Sequence, residues 1–218
     1  MTSRAKTILL TTPGCPHCAS VHRILTDLVS EGKLPGFSEI DISREPEIAN
    51  RYGVRSVPWF RIGEFEFSGS HTGRELERWL PGHTPALTLA DFFAEELRQG
   101  GLARVTDRVK REPQALEAVV ALMAEPELDI SVQLGVAAVM EQLEGTDTLV
   151  RIIPKLIALL GRPEVRIRAD VCHYLGLSGD ADAIPELTKC LEDEHADVRE
   201  IARDSIDAIE SAQLAQKS

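Results

Sequence analysis

Two cysteines separated by two residues are the part of this sequence with the clearest chemistry. They occur as Cys15-Pro16-His17-Cys18, directly before a stretch with helical periodicity. Two cysteines three positions apart at the start of a helix lie on the same side of one turn, close enough to form a disulfide. The free N–H groups of the first helical turn and the helix dipole stabilise a thiolate, so we expect a lowered pKa for Cys15. The motif therefore predicts dithiol–disulfide exchange.

The residues of this motif are expected to have different roles. Cys15 in the first turn is the nucleophile, and Cys18, one turn into the helix, is the shielded thiol that resolves a mixed disulfide. His17 is an exposed donor near Cys15, and in its protonated form it stabilises the thiolate further. Pro16 completes the pair of residues between the cysteines.

Zinc binding and an inert structural pair are the alternatives for this motif. Zinc usually needs a second pair of cysteines or two histidines. The other two cysteines, Cys172 and Cys190, lie in predicted helices far along the chain, where a free cysteine behaves as a small hydrophobic residue. We therefore expect no metal, and no cofactor other than the redox-active disulfide itself.

The first 83 residues alternate between strand and helix signals, in the order strand, helix, strand, helix, strand, strand, helix. The predicted strands are 7–11, 37–42, 57–62 and 65–67. The last helix is expected to begin at a capping box formed by Thr72 and Glu75. Two prolines and a glycine within 81–85 then indicate a linker.

Only helical signals follow this linker, and they repeat. Segment 153–156, Ile-Pro-Lys-Leu, recurs 31 residues later as Ile-Pro-Glu-Leu, and Val165-Arg166 recurs 33 residues later as Val198-Arg199. A period in the low thirties with two helices in each unit is typical of an α-solenoid. The predicted helices are about 102–111, 114–124, 131–144, 148–160, 164–176, 182–192 and 197–211.

Composition and charge exclude several classes of function. The chain has 218 residues and a net charge of −11, all of it carried by residues 84–218, because residues 1–83 hold 10 basic and 10 acidic side chains. Such an acidic surface repels phosphate, so nucleic acids and anionic membranes are not expected partners. No apolar run reaches the roughly 20 residues that span a bilayer, and the start has no signal-peptide core. The expected location is the cytoplasm, and the oligomeric state stays open.

With these motifs in place, residues 5–80 resemble thioredoxin-like proteins. The segment 52–58, Tyr-Gly-Val-Arg-Ser-Val-Pro, is similar to the stretch that carries the cis-proline of this family. The resemblance implies a cis peptide bond between Val57 and Pro58, facing the cysteine pair, and a loop that offers backbone groups to an extended substrate peptide. Trp59 either lines the same groove or belongs to the core.

Several departures from the thioredoxin pattern affect the expected chemistry. Leu9 stands where thioredoxins have a buried aspartate, so Glu39 on the second strand is a candidate proton acceptor for Cys18, the alternative being an exposed strand residue. The dipeptide Pro16-His17 is the one found in periplasmic disulfide oxidases, which implies a more oxidising couple than that of thioredoxin.

The C-terminal repeat resembles HEAT-like repeats over about 113–211. The pattern is found in Val165-Arg166, Ala169, Leu175-Gly176, Gly179-Asp180 and 183–187, Ala-Ile-Pro-Glu-Leu. The earliest unit has Gln133 in place of the arginine, as a terminal unit that acts as a cap often departs from the pattern. The resemblance implies a surface that recognises proteins.

The sequence thus predicts an α/β thioredoxin-like domain, with a central mixed sheet and flanking helices, over 1–83. A linker with leading helices follows over 84–112, and an all-α HEAT-like solenoid of about three helix pairs covers 113–218. The predicted function is a thiol–disulfide oxidoreductase that acts on protein disulfides and uses the solenoid for protein recognition. The alternative is a protein-binding scaffold or adaptor whose thioredoxin-like domain is a docking unit or a redox switch.

Overall fold

The structure, a computed structural model, describes residues 7–84 and 87–216. The linker predicted at 81–85 therefore lies partly outside the described residues. The chain divides into two compact units, Met1–Phe92 and Phe93–Ser218. Each unit is described separately below.

The first unit contains a four-stranded mixed sheet with the order β2-β1-β3-β4. Strand β1 is parallel to β2 and antiparallel to β3, and β3 forms a hairpin with β4. All five residues of β1 are buried, as expected for a central strand with both faces covered. The strands are β1 Thr7–Thr11, β2 Phe37–Asp41, β3 Trp59–Ile62 and β4 Phe65–Ser68.

Helices cover both faces of this sheet. Helix α1 buries an apolar stripe that begins at Cys18 and continues through Val21, Leu25 and Leu28. On the opposite face, Ile8, Leu10 and Trp59 form a cluster to which the partly buried Ile48 and Tyr52 are added. The helices of this unit are α1 Pro16–Ser30, α2 Pro46–Tyr52, α3 Gly73–Glu77 and the first part of α4, Leu89–Arg98.

The predicted capping box is present at the start of α3. The Glu75 N–H donates to Thr72 Oγ1 at 3.3 Å, and the Thr72 N–H donates to Glu75 Oε2 at 2.7 Å. Two of the four unpaired N–H groups that a helix start leaves are often satisfied in this way. Helix α3 ends at Glu77, but the apolar side chain of Leu80 just beyond it is buried as well.

The described part of the second unit contains helices and no strand. Two short 3-10 turns, Pro113–Ala115 and Ala181–Ala183, lead into the helices that follow them. The helices after α4 are α5 Leu102–Arg111, α6 Leu116–Met123, α7 Ile130–Glu141, α8 Asp147–Val150, α9 Ile153–Ile157, α10 Val165–Leu177, α11 Ile184–Cys190 and α12 Ala196–Gln216.

The predicted helix 148–160 is two short helices, α8 and α9. Pro154 is in the first turn of α9 and has no N–H to donate, so a continuous helical ladder is interrupted there. The chain turns between the two helices through bonds of tighter spacing, from Ile152 N–H to Leu149 O at 3.1 Å and from Lys155 N–H to Ile152 O at 2.9 Å.

Close helix packing explains the glycine of the Leu175-Gly176 motif. A Cβ atom on Gly176 would lie 2.8 Å from Ser205 Cβ and 3.0 Å from Ser205 Cα, so α10 and α12 approach each other almost backbone to backbone. Gly135 of α7 has the same relation to Leu97, whose Cδ2 would be 2.8 Å away. Within the described residues, no helix is both long and apolar enough to cross a membrane.

Candidate active site

Cys15 is the N-cap residue of α1, one position earlier than predicted. The helix begins at Pro16, since proline suits the first helical position, where its missing N–H is not needed. The Cys15 backbone is extended, with φ −77° and ψ 109°. Gly14 before it has φ 77°, a conformation that favours glycine and lets the chain turn from β1 into α1.

The two sulfurs of the motif form a disulfide and differ in exposure. Cys15 and Cys18 are joined, with their Cα atoms 5.3 Å apart. Cys15 is half-buried, whereas only 4% of Cys18 is exposed. The Cys18 N–H donates to Cys15 Sγ at 3.1 Å, so an N-cap interaction that usually involves an oxygen is made here by sulfur. This donor stabilises negative charge on Cys15, the more accessible sulfur.

A chain of two hydrogen bonds joins the motif to the loop at Pro58. His17 is exposed, and its Nδ1 lies 3.2 Å from the Oγ of Ser70 in the loop after β4. The neighbouring Gly69 donates its N–H to Pro58 O at 2.8 Å. The peptide bond between Val57 and Pro58 is cis. Pro58 is buried and Val57 is half-buried.

Trp59 lies in the core of the first unit, one of the two places considered for it. Its side chain shares a sheet face with Ile8 and Leu10 and packs against Tyr52, with 5.0 Å between the ring centroids. Only 5% of Trp59 is exposed. The indole therefore offers almost no surface to a substrate.

Glu39 contributes to an open depression beside the disulfide. Cys15, Cys18, His22 and Asp41 line the same depression. Thr11 Oγ1 donates to Glu39 Oε1 at 3.0 Å, and His22 Nε2 lies 3.5 Å from Glu39 Oε2. The Glu39 side chain is 44% exposed, so it is hydrated but anchored.

Sequence reasoning missed the two partners of Glu39. His22 had the signal of a helix-surface residue, yet it is four positions after Cys18 and so lies on the same side of α1. Thr11 shares a sheet face with Leu9, which is opposite Glu39 in the parallel register of β1 and β2. That register, which the sequence does not state, brings the three side chains together.

Comparisons with known proteins match both halves of the chain. The family model described as thioredoxin domain matches residues 6–81, and the model described as HEAT repeats matches residues 116–207. A thioredoxin from Methanocaldococcus jannaschii is 33% identical over 78 residues, which cover 34% of this chain and 89% of that protein. The chain belongs to the thioredoxin family. At the level of this family it is a thiol–disulfide oxidoreductase, and Cys15 and Cys18 are its cysteine pair.

The predicted fold class is confirmed for both parts. The thioredoxin part has the mixed four-stranded sheet with flanking helices, and the second part is helical with HEAT repeats. HEAT repeats generally bind other proteins. Across residues 7–84 and 87–216, no group of three or more histidine, cysteine, aspartate or glutamate side chains is arranged to hold a metal ion.

Proposed function

We propose that this thioredoxin-family protein exchanges disulfides with protein substrates, with Cys15 as the nucleophile. The observation that carries the proposal is the unequal exposure of the two sulfurs, half-buried for Cys15 and 4% for Cys18. An accessible sulfur at a helix N-cap, with an N–H donor 3.1 Å away, reacts first because its thiolate is stabilised. The buried sulfur then reacts only within the molecule.

The exchange has two steps. The Cys15 thiolate attacks a substrate disulfide, so a mixed disulfide forms and one substrate sulfur leaves as a thiolate that takes a proton from solvent. Cys18 then loses its proton and attacks Cys15 Sγ, which forms the Cys15–Cys18 disulfide and releases the second substrate thiol. Two electrons pass from the protein to the substrate, and the reaction runs in reverse when the substrate is the reductant.

The loop at Val57 and Pro58 is the proposed place for the substrate peptide. A loop at this point exposes backbone groups that an extended peptide can pair with, and Gly69 holds it to the end of β4 through the 2.8 Å bond to Pro58 O. Trp59 supports this loop from the core rather than lining it. His17, held near Ser70, is the proposed cation beside the reacting sulfur.

Glu39 is the proposed proton acceptor for Cys18. Its carboxylate opens on the depression that both cysteines line, and Thr11 fixes one of its oxygens. A carboxylate placed beside a thiol that must ionise acts as a general base. No cofactor beyond the dithiol enters this scheme.

The HEAT repeats are the proposed recognition module for a protein substrate or partner. They occupy residues 116–207, a longer part of the chain than the thioredoxin domain at 6–81. The same observation favours a second candidate, a binding scaffold whose thioredoxin domain acts as a redox switch. Partner binding that is insensitive both to oxidation and to loss of Cys15 would count against that candidate.

The test of the exchange uses the full chain with Cys172 and Cys190 changed to Ala, so that only one pair of thiols reacts. Reduction of insulin disulfides by this protein, supplied with a dithiol reductant, should be lost in Cys15→Ser. Cys18→Ser should accumulate a mixed disulfide at Cys15, seen as an added mass that a reductant removes. Turnover by Cys15→Ser at the unchanged rate would overturn the proposal.

A further inference from the structure

The second unit contains a pair of thiols that lie in contact. Cys172 is in α10 and Cys190 is the last residue of α11, and the two side chains form a hydrogen bond with each other. Both are free cysteines; Cys172 is fully buried and Cys190 is half-buried. The pair thus has one accessible sulfur and one shielded sulfur, although 18 positions separate the two residues.

A buried ion pair fixes the chain beside these thiols. Arg168, one turn before Cys172 on α10, donates from Nε and Nη2 to the two carboxylate oxygens of Asp193 at 2.8 and 3.0 Å. The two side chains are only 8% and 13% exposed. The Asp193 N–H in turn donates to Cys190 O at 3.1 Å. The end of α11 is therefore held against α10 close to the two thiols.

The charges around the pair make the two sulfurs unequal. The hydrogen bond from Cys172 lowers the pKa of Cys190, and the same bond together with burial raises the pKa of Cys172. The Arg168 guanidinium favours a thiolate at either position. The carboxylates of Glu186 and Asp193 act against the Cys190 thiolate. Cys190 is accordingly the sulfur that ionises first, and it is also the exposed one.

We propose that Cys172 and Cys190 form a second redox-active dithiol, which a low-molecular-weight disulfide such as oxidised glutathione converts into a disulfide joining α10 to α11. The Cys190 thiolate attacks oxidised glutathione, and a mixed disulfide forms as one glutathione leaves. Cys172 then loses its proton and attacks Cys190 Sγ, which releases the second glutathione. The dithiol gives up two electrons and two protons, and the two glutathione thiols receive them.

This disulfide would make the HEAT-repeat unit itself responsive to redox conditions. It would close a loop that contains the 3-10 turn Ala181–Ala183 and the whole of α11, and a closed loop restricts the unfolded chain. Oxidation should therefore raise the thermal unfolding midpoint of the helical unit. The reaction needs neither Cys15 nor Cys18, so it stands apart from the exchange proposed above.

The test uses the full chain with Cys15 and Cys18 changed to Ser, which leaves two thiols. The folded protein is equilibrated in buffers of reduced and oxidised glutathione, quenched in acid, and its free thiols are labelled and counted by mass. We expect both thiols to be lost together, and a non-reducing peptide map to show Cys172 linked to Cys190. Within this background, Cys172→Ala should carry one glutathione at Cys190, and Cys190→Ala should keep a free Cys172 until urea is added.

Two results would overturn the proposal. Both thiols would stay free in buffers that oxidise Cys15 and Cys18 of the unaltered chain, or a glutathione adduct at Cys190 would persist without the crosslink. Far-UV circular dichroism of each alanine variant shows whether the helical unit is still folded. If an alanine variant does not fold, the thiol count and peptide map of the two-thiol protein still decide the question.

Discussion

Replacing Glu39 with Gln tests whether its carboxylate takes the proton from Cys18. The substitution keeps the shape of the side chain and an oxygen for the 3.0 Å hydrogen bond from Thr11, but it removes the negative charge. Proton transfer is needed only in the second step of exchange, when Cys18 attacks the mixed disulfide at Cys15. Glu39→Gln should therefore slow the second step and leave the first nearly unchanged.

The size of the effect separates a base from a mere charge. His22 and Glu39 are 46% and 44% exposed and lie 3.5 Å apart, so their pairing contributes at most about 1 kcal/mol, or roughly fivefold in rate. A positioned general base contributes about 100-fold or more. Because water competes for the exposed carboxylate of Glu39, we expect a loss of about tenfold to 100-fold in the second step.

A chromogenic aromatic disulfide measures the two steps separately. Cys15 releases the first coloured thiol at a rate that depends on reagent concentration, and attack by Cys18 releases the second at a rate that does not. The matched control is Asp41→Asn, which removes the same charge from the same depression. The Asp41 carboxylate is already engaged by the Ser43 hydroxyl at 2.6 Å and N–H at 3.0 Å, so this control should change the second step less than fivefold.

The pH dependence gives a further check on Glu39. Above the usual pKa of a free cysteine thiol, about 8.5, hydroxide removes the proton without help, so the difference between Glu39→Gln and the unaltered protein should disappear. A second step that is slowed equally by Glu39→Gln and Asp41→Asn, or by less than fivefold in Glu39→Gln, would refute the assignment of Glu39 as the base.

Two further predictions concern the helical unit, and urea unfolding followed by far-UV circular dichroism checks both. Gly176→Ala should lower the free energy of unfolding by about 1–2 kcal/mol, since overpacking costs about 1–3 kcal/mol and the better helix propensity of alanine returns at most about 1 kcal/mol. Adding Ser205→Gly, which removes two of the atoms that the new methyl group meets, should restore part of the loss; strictly additive effects would contradict this. Asp193→Asn should cost about 3 kcal/mol at pH 7, because the Arg168 guanidinium is buried and loses its anion. Arg168 holds the pKa of Asp193 below its usual value, so this contribution is complete above about pH 4 and is lost as the pH falls through the lower native pKa; a penalty that stays constant down to pH 2 would contradict the assignment.

The strands of the thioredoxin part were largely predictable from the sequence. The segment 7–11 is a short apolar run before the break at Pro13 and Gly14, and it forms β1 with the same limits. Strand β3 begins at Trp59 instead of 57, since Pro58 has no N–H with which to join the sheet ladder. The hairpin of β3 and β4 turns at Gly63, as the glycine indicated.

The contacts between elements were not predictable in the same way. The sequence places Cys15 and Cys18 together because they are three positions apart. It gives no such signal for Thr11, Glu39 and His22, which meet only through the register of β1 with β2 and the position of α1. The repeat period predicted paired helices, but not that Cys172 of α10 faces Cys190 of α11, because the faces that meet depend on how the helices cross.

The hydrogen bond from the Cys18 amide to Cys15 Sγ makes one backbone proton a natural spectroscopic reporter. A hydrogen bond to an ionised acceptor is shorter and stronger than one to a neutral acceptor. In the reduced protein, the nuclear magnetic resonance signal of the Cys18 amide should therefore shift as Cys15 ionises. A pH titration of this single resonance would follow the ionisation of the nucleophile directly, in the complete chain with all four cysteines in place and without any attached probe.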